Sequence, residues 1–199
     1  MTPADPIPAP KRRADAERNR DTILRTARAA FAEPGAPVSM AEIARRAGVG
    51  MATLYRNFPG RRELLEALYV EEVDAICAAS GTVGGDTPGA VLMAWIRRFT
   101  EFVASKHDLA SELLEQTDED NPVFDNSRAR VLAAGRPLLV AAQESGEVRD
   151  DLTLEQVLDM VIAVSAIRGD AAYTEPILRA ALDGIRPPGP NAAIGSAGH

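Results

Sequence analysis

Cysteine occurs once in the 199 residues, at Cys77. A disulfide framework within the chain is therefore excluded, and a lone thiol fits a reducing compartment, where it serves as a small core hydrophobe. Aromatic residues are nearly as scarce, at 5 %, and few stretches combine β-branched residues with period-two alternation, so little here asks for strands. Long apolar runs are also missing. The most continuous, Met160 to Ile167, is broken by Ser165 and is too short to span a bilayer. Met1 to Pro10 is proline-rich and lacks the charged-then-apolar order of a secretion signal, which predicts a disordered tail, no membrane partner and a cytoplasmic location. Alanine and aliphatic residues dominate instead, and they recur at helical spacing. The expected fold is all-α, with a small head and a larger helical body.

The net charge of −7 argues at first against a nucleic-acid partner. Its distribution reverses that reading. Lys11 to Arg62 carries twelve basic and five acidic residues, a net +7, which leaves −14 for the remainder. Charge fluctuates along any chain, but an asymmetry of this size marks a segment suited to phosphate.

Five apolar positions, Ile23, Leu24, Ala27, Ala30 and Phe31, place a first helix over about 18–33, ended by Pro34-Gly35. Ser39-Met40-Ala41-Glu42 reads as a capping box that opens a second helix, which Gly48 stops. A three-residue turn leads to a short third helix, Met51 to Asn57, and Phe58-Pro59-Gly60 separates it from a fourth over 61–79. Beyond the glycine-rich stretch 81–89 the pattern predicts helices over 88–105 and 108–116, then a long one over 121–145 that Pro137 should kink or interrupt. Two more follow over 153–169 and from Thr174 and Pro176 to about 185. The expected organisation is a disordered basic arm (1–17), a helix-turn-helix head (18–62), a helical body (63–186) and a flexible tail (187–199).

Within 39–58 the spacing has a mechanical logic. Ala44 permits close helix crossing, Gly48 can turn left-handed, and Val49 and Leu54 point back into a small core. The outer face of the third helix is then left with Met51, Ala52, Thr53, Tyr55 and Arg56, small, hydroxyl and cationic groups suited to base edges and phosphates in a major groove. An αα-corner inside a helical protein would share the glycine and apolar spacing. It would not explain why Lys11-Arg12-Arg13 and Arg61-Arg62 flank the hairpin on both sides.

Phe31-Ala32-Glu33-x-Gly35, Ser39-Met40-Ala41-Glu42-Ile43-Ala44, Gly48-Val49, Thr53-Leu54-Tyr55-x-x-Phe58 and Leu64-Leu65 together resemble the tetracycline-repressor (TetR) family over roughly 18–70. The resemblance implies a head on an all-α body that binds a small-molecule effector and forms a homodimer. Two heads would read a near-palindromic double-stranded DNA operator, most often as a repressor that the effector releases. By position it implies phosphate contacts from Ser39, Thr53 and Tyr55. Arg61 stands where the family commonly has lysine, and a guanidinium can still hold a phosphate. Gly50 stands where many members have a serine or threonine that caps the third helix and touches DNA. Sequence choice then falls to Met51, Ala52 and Arg56, with Lys11, Arg12 and Arg13 reaching an adjacent minor groove.

From Met160 onward the helix over 153–169 is apolar around most of its circumference, so it must be covered on several sides. A second subunit packing on it and on Ile177, Leu178, Ala181 and Leu182 is one solution, and a central core helix of a monomer is the other. Trp95, Phe99, Phe102, Phe124 and Met160 are candidates to line an apolar effector cavity, although such residues are also plain core. His107 beside Asp108 and Glu112 is a weak metal pattern, and we expect no metal or cofactor. No nucleophile-base pair, metal cluster or phosphate loop has recognisable spacing, so no enzyme is expected. The alternative is a helical small-molecule carrier or interaction module that never binds an operator.

Overall fold

The computed structural model describes residues 9–33, 38–115 and 122–187, without the side chains of 9–13, 105–112, 114 and 115. These residues form eight α-helices and no strand: α1 (Ala9–Phe31), α2 (Met40–Ala47), α3 (Met51–Asn57), α4 (Arg61–Ala79), α5 (Pro88–Glu115), α6 (Pro122–Glu144), α7 (Leu154–Ser165) and α8 (Ala171–Asp183). The chain divides into two units, Met1–Val70 with Leu109–Glu119, and Glu71–Asp108 with Asp120–His199. The division falls inside α4 rather than at residue 62. Leu64, Leu65 and Leu68 of its first half are buried.

In the first unit α1, α2 and α3 pack on one another around Ile23, Leu24, Ala27, Ala30, Ile43, Ala44, Leu54 and Phe58. The expected disordered arm is corrected from Ala9 onward, because α1 starts there and not near Arg18. Residues 9–17 are mostly alanine and straight-chain side chains, good helix formers, and Pro10 falls in the first turn where its missing N–H costs nothing. The guanidinium of Arg18 also bonds the Asp15 carboxylate one turn earlier. Residues 1–8, and the breaker Pro34-Gly35 with Pro37, lie outside the described residues.

In the second unit the two helices expected over 88–105 and 108–116 are one, α5, since the sequence between them contains neither glycine nor proline. Pro137 likewise fails to interrupt α6. It removes one N–H from the ladder on an exposed side, where water can take the freed carbonyl. Thr153 opens α7 with the expected capping box: Gln156 N–H donates to the threonine hydroxyl at 3.3 Å, and Thr153 N–H donates to the Gln156 side chain at 2.9 Å. The last helix starts earlier than Thr174, because the Asp170 carboxylate accepts the Tyr173 N–H at 2.9 Å and caps it.

Trp95, fully buried, anchors this core, and its indole N–H donates to the Ile76 carbonyl at 3.1 Å. Gly135 of α6 lies so close that an added Cβ would fall 2.3 Å from the Trp95 ring and 3.0 Å from Leu154. Glu147 fixes the start of α5 by accepting the Thr87 hydroxyl at 2.5 Å and the Gly89 N–H at 3.3 Å. These bonds hold its carboxyl below the usual range, the Thr87 hydroxyl contributing most.

Candidate nucleic-acid interface

The hairpin of α2 and α3 is built by its caps. Ser39 has extended backbone, and its hydroxyl accepts the Glu42 N–H at 3.1 Å. The return half of the expected capping box is not formed. Glu42 turns its carboxylate to Arg45, at 2.8 and 2.7 Å, and to Arg46 at 2.6 Å, because three charge-assisted bonds outweigh one bond to a backbone N–H. Arg46 also reaches Glu33, just past the end of α1, at 2.7 Å. Hydrogen bonds from Arg45 and then Arg46 hold the Glu42 carboxyl at about 2.

Gly48 ends α2 with φ 67° and ψ 27°, the left-handed conformation expected of it. Its N–H donates to Arg45 O at 3.2 Å, and the next N–H, of Val49, donates to Ala44 O at 3.0 Å. Gly50 then opens α3 with φ −71° and no side-chain cap, and nothing lies within 4 Å of where its Cβ would be. The contact absent at this position is thus also an absent cap, and the space around it is open.

On α3 the two faces separate as the spacing predicts. Leu54 is fully buried, whereas Met51 is 39 % and Tyr55 46 % exposed, with Ala52 and Arg56 exposed beside them. Thr53 is half-buried. Its hydroxyl accepts from Arg56 at 2.9 Å and its carbonyl from the Asn57 amide at 2.8 Å. Arg56 therefore bonds a neutral partner and keeps its charge uncompensated on the outer face.

Other cations of the basic segment are committed within the head. Arg61 donates to the Val38 carbonyl and lies 5.1 Å from the centre of the Phe31 ring. Arg20 of α1 stacks 4.5 Å over Phe58 and donates to Asn57 O, the last residue of α3, at 3.4 Å. Arg20 was not among the expected site residues. Its partners are nearly forty residues away, and no local periodicity signals such a contact. Lys11, Arg12 and Arg13 belong to α1, and their side chains lie outside the described residues.

Trp95 and Phe99 are buried with ring centres 6.2 Å apart, and Phe102 follows at 5.9 Å from Phe99. Phe102 lines an open cleft of about 730 Å³ between α4 and α5, with Ile76, Ala79, Val83 and Arg98. A second groove, of about 890 Å³, runs between α5 and α8. Phe124 and Met160 are half-buried and line neither. On α7, Val157, Leu158 and Val161 are buried while Ile162, at 38 % exposure, and Ala163 are open to solvent. His107, Asp108 and Glu112 have side chains outside the described residues, as does Asp118-Glu119-Asp120 entirely. Among the described residues no His, Cys, Asp and Glu cluster could hold a metal, and no helix is long and apolar enough to cross a membrane.

Comparison with known proteins agrees with this geometry in both units. Residues 23–68 match the family model of bacterial regulatory proteins of the tetR family, and residues 87–187 match that of the transcriptional regulator SbtR-like C-terminal domain. A TetR transcriptional regulator from Streptomyces coelicolor is 34 % identical, with a TM-score of 0.67 over 84 % of this chain and 98 % of its own. A TetR regulator from Mycobacterium vanbaalenii is 33 % identical, with the same TM-score over 88 % of this chain and 99 % of its own. No curated protein matches the sequence.

Proposed function

Because the chain belongs to the TetR family of ligand-responsive, DNA-binding transcriptional regulators, we propose that it works as a cytoplasmic homodimeric repressor whose two heads read a near-palindromic operator and let go when a small molecule occupies the body. The observation that carries this reading is the division of α3. Leu54 fixes the helix from inside, and Met51, Ala52, Tyr55 and Arg56 are left on the outside. A helix presented in this way enters a major groove with its side chains at the base edges.

In this reading Met51, Ala52 and Arg56 choose sequence, Thr53 and Tyr55 hold phosphates beside them, and Ser39 and Arg61 hold phosphates on the flanks. Arg61 combines that role with its tie to Val38 and Phe31, so it positions the head as well. Backbone N–H groups at Gly50 and Met51 take over where the usual hydroxyl is absent. Lys11, Arg12 and Arg13 extend α1 as a basic helical end beside the duplex, replacing the disordered arm first expected.

The homodimer rests on apolar surface that one chain leaves uncovered. Ile162 and Ala163 of α7 are exposed, and Ile177, Leu178 and Ala181 of α8 are only half-buried. Selection of duplexes from a random library, with sedimentation at micromolar protein, tests the reading. A near-palindromic consensus bound by two chains is expected. A monomer, or no enrichment over random duplex, would reject it. No catalytic role is assigned to any residue.

A further inference from the structure

The groove between α5 and α8 has an apolar wall and two polar groups with no other use. Met93 of α5, Val164 of α7 and Leu178 and Leu182 of α8 supply the wall. The three carboxylates along the groove already have arginine neighbours three or four residues along the chain. Glu101 lies 3.6 Å from Arg98, Glu175 lies 3.0 Å from Arg179, and Asp183 lies 3.7 Å from Arg186. Arg97 also faces the groove, is exposed, and has no ion pair or hydrogen bond among the described residues. Ser165, half-buried at the end of α7, brings a hydroxyl that bonds nothing among the described residues. The groove is large enough for a small organic molecule, at about 890 Å³. The α4–α5 cleft lacks this combination, since its one arginine, Arg98, faces Glu101.

We propose that the α5–α8 groove is an effector site for an amphipathic monocarboxylate, its carboxylate held by Arg97 and Ser165 and its apolar body laid against Met93, Val164, Leu178 and Leu182. This deepens the reading of a ligand-released repressor and rests on it. A guanidinium pairs with a carboxylate through two parallel N–H bonds, a geometry that neither an alcohol nor an amine satisfies. The groove also touches the mechanism at a useful place. It is walled by α8, one of the two helices assigned to the subunit interface, so an occupant acts on the spacing of the two chains.

The test uses the full-length protein and three probes with one apolar body: octanoate, octanol and octylamine. Octanoate should raise the melting temperature and bind about tenfold or more tightly than the other two, and Arg97→Gln should remove that advantage without lowering the melting temperature of the free protein. Octanoate should also release selected operator from the wild type and not from Arg97→Gln. Equal binding of all three probes, unchanged octanoate affinity in Arg97→Gln, or no binding at millimolar octanoate would each overturn the site. Operator affinity measured without any probe keeps the two readings apart: if it is intact and octanoate is inert, the site fails and the repressor stands.

Discussion

The guanidinium of Arg20, on α1, lies 4.5 Å over the Phe58 ring and donates to the carbonyl of Asn57 at 3.4 Å. A cation is thereby placed at the C-terminal end of α3, where the helix dipole favours positive charge, and the reading helix is tied to the first helix of the head. Phe58 is almost wholly buried beneath it. The orientation of α3 therefore depends on a residue that need not touch DNA.

Arg20→Ala should lower the stability of the head by about 0.5–1 kcal/mol, the worth of an exposed cation–π contact. Operator affinity should fall with it, and Arg20→Lys should recover part of the loss. Thermal melts beside anisotropy titrations measure both. An Arg20→Ala protein with wild-type affinity would mean that α3 is held by Leu54 and Phe58 alone.

Gly50→Ser should be accepted without strain, because the position has φ −71° and open space around its Cβ. The new hydroxyl can cap α3, worth a few tenths of a kcal/mol over glycine, and can reach a phosphate. Higher affinity for operator and random duplex alike is expected in titrations at fixed salt. Weaker binding would show that DNA approaches the backbone here too closely for any side chain.

Gly135→Ala, in the body, should be severe. The added methyl would sit 2.3 Å from the Trp95 ring, which is itself enclosed and hydrogen-bonded to Ile76. Overpacking of this kind costs about 1–3 kcal/mol, readable as a lower urea midpoint. A midpoint equal to the wild type would mean that α6 moves away freely.

Glu42 supplies a pH signature. Its carboxyl lies at about 2 in the folded head, against an ordinary value of 4.5, because Arg45 and then Arg46 bond it. A carboxyl lowered by folding stabilises the fold fully above the ordinary value, and the contribution fades as pH falls toward the folded one. The melting temperature of the wild type should exceed that of Glu42→Gln at neutral pH, and the gap should narrow between about pH 4.5 and 2. A gap constant across that range would assign the loss to the Ser39 end of the helix.

Much of the head was legible because its signals are local. Ser39, Gly48 and Phe58-Pro59-Gly60 bound α2 and α3 where those helices begin and end, and the burial of Ile43, Ala44 and Leu54 follows from their spacing. What stayed hidden depends on partners distant in sequence. The Glu42 carboxylate prefers two arginines to a backbone N–H, and Arg20 finds Phe58 thirty-eight residues away. In the body, Trp95 and Phe99 are buried side by side, whereas Phe102 borders the cleft between α4 and α5. Composition cannot distinguish an aromatic that fills space from one that borders it. Pro137 and Pro176 both lie inside helices, where caps and packing override a local breaker.

The central claim, that the outer face of α3 reads sequence, is tested most directly by Arg56→Ala on two duplexes, the selected operator and a scrambled one of equal length. Arg56 bonds only the Thr53 hydroxyl, so its loss should leave the head folded. The account predicts that affinity for the operator drops by about 1–3 kcal/mol while affinity for the scrambled duplex changes far less. Equal losses on both duplexes would make Arg56 a phosphate contact and contradict the account.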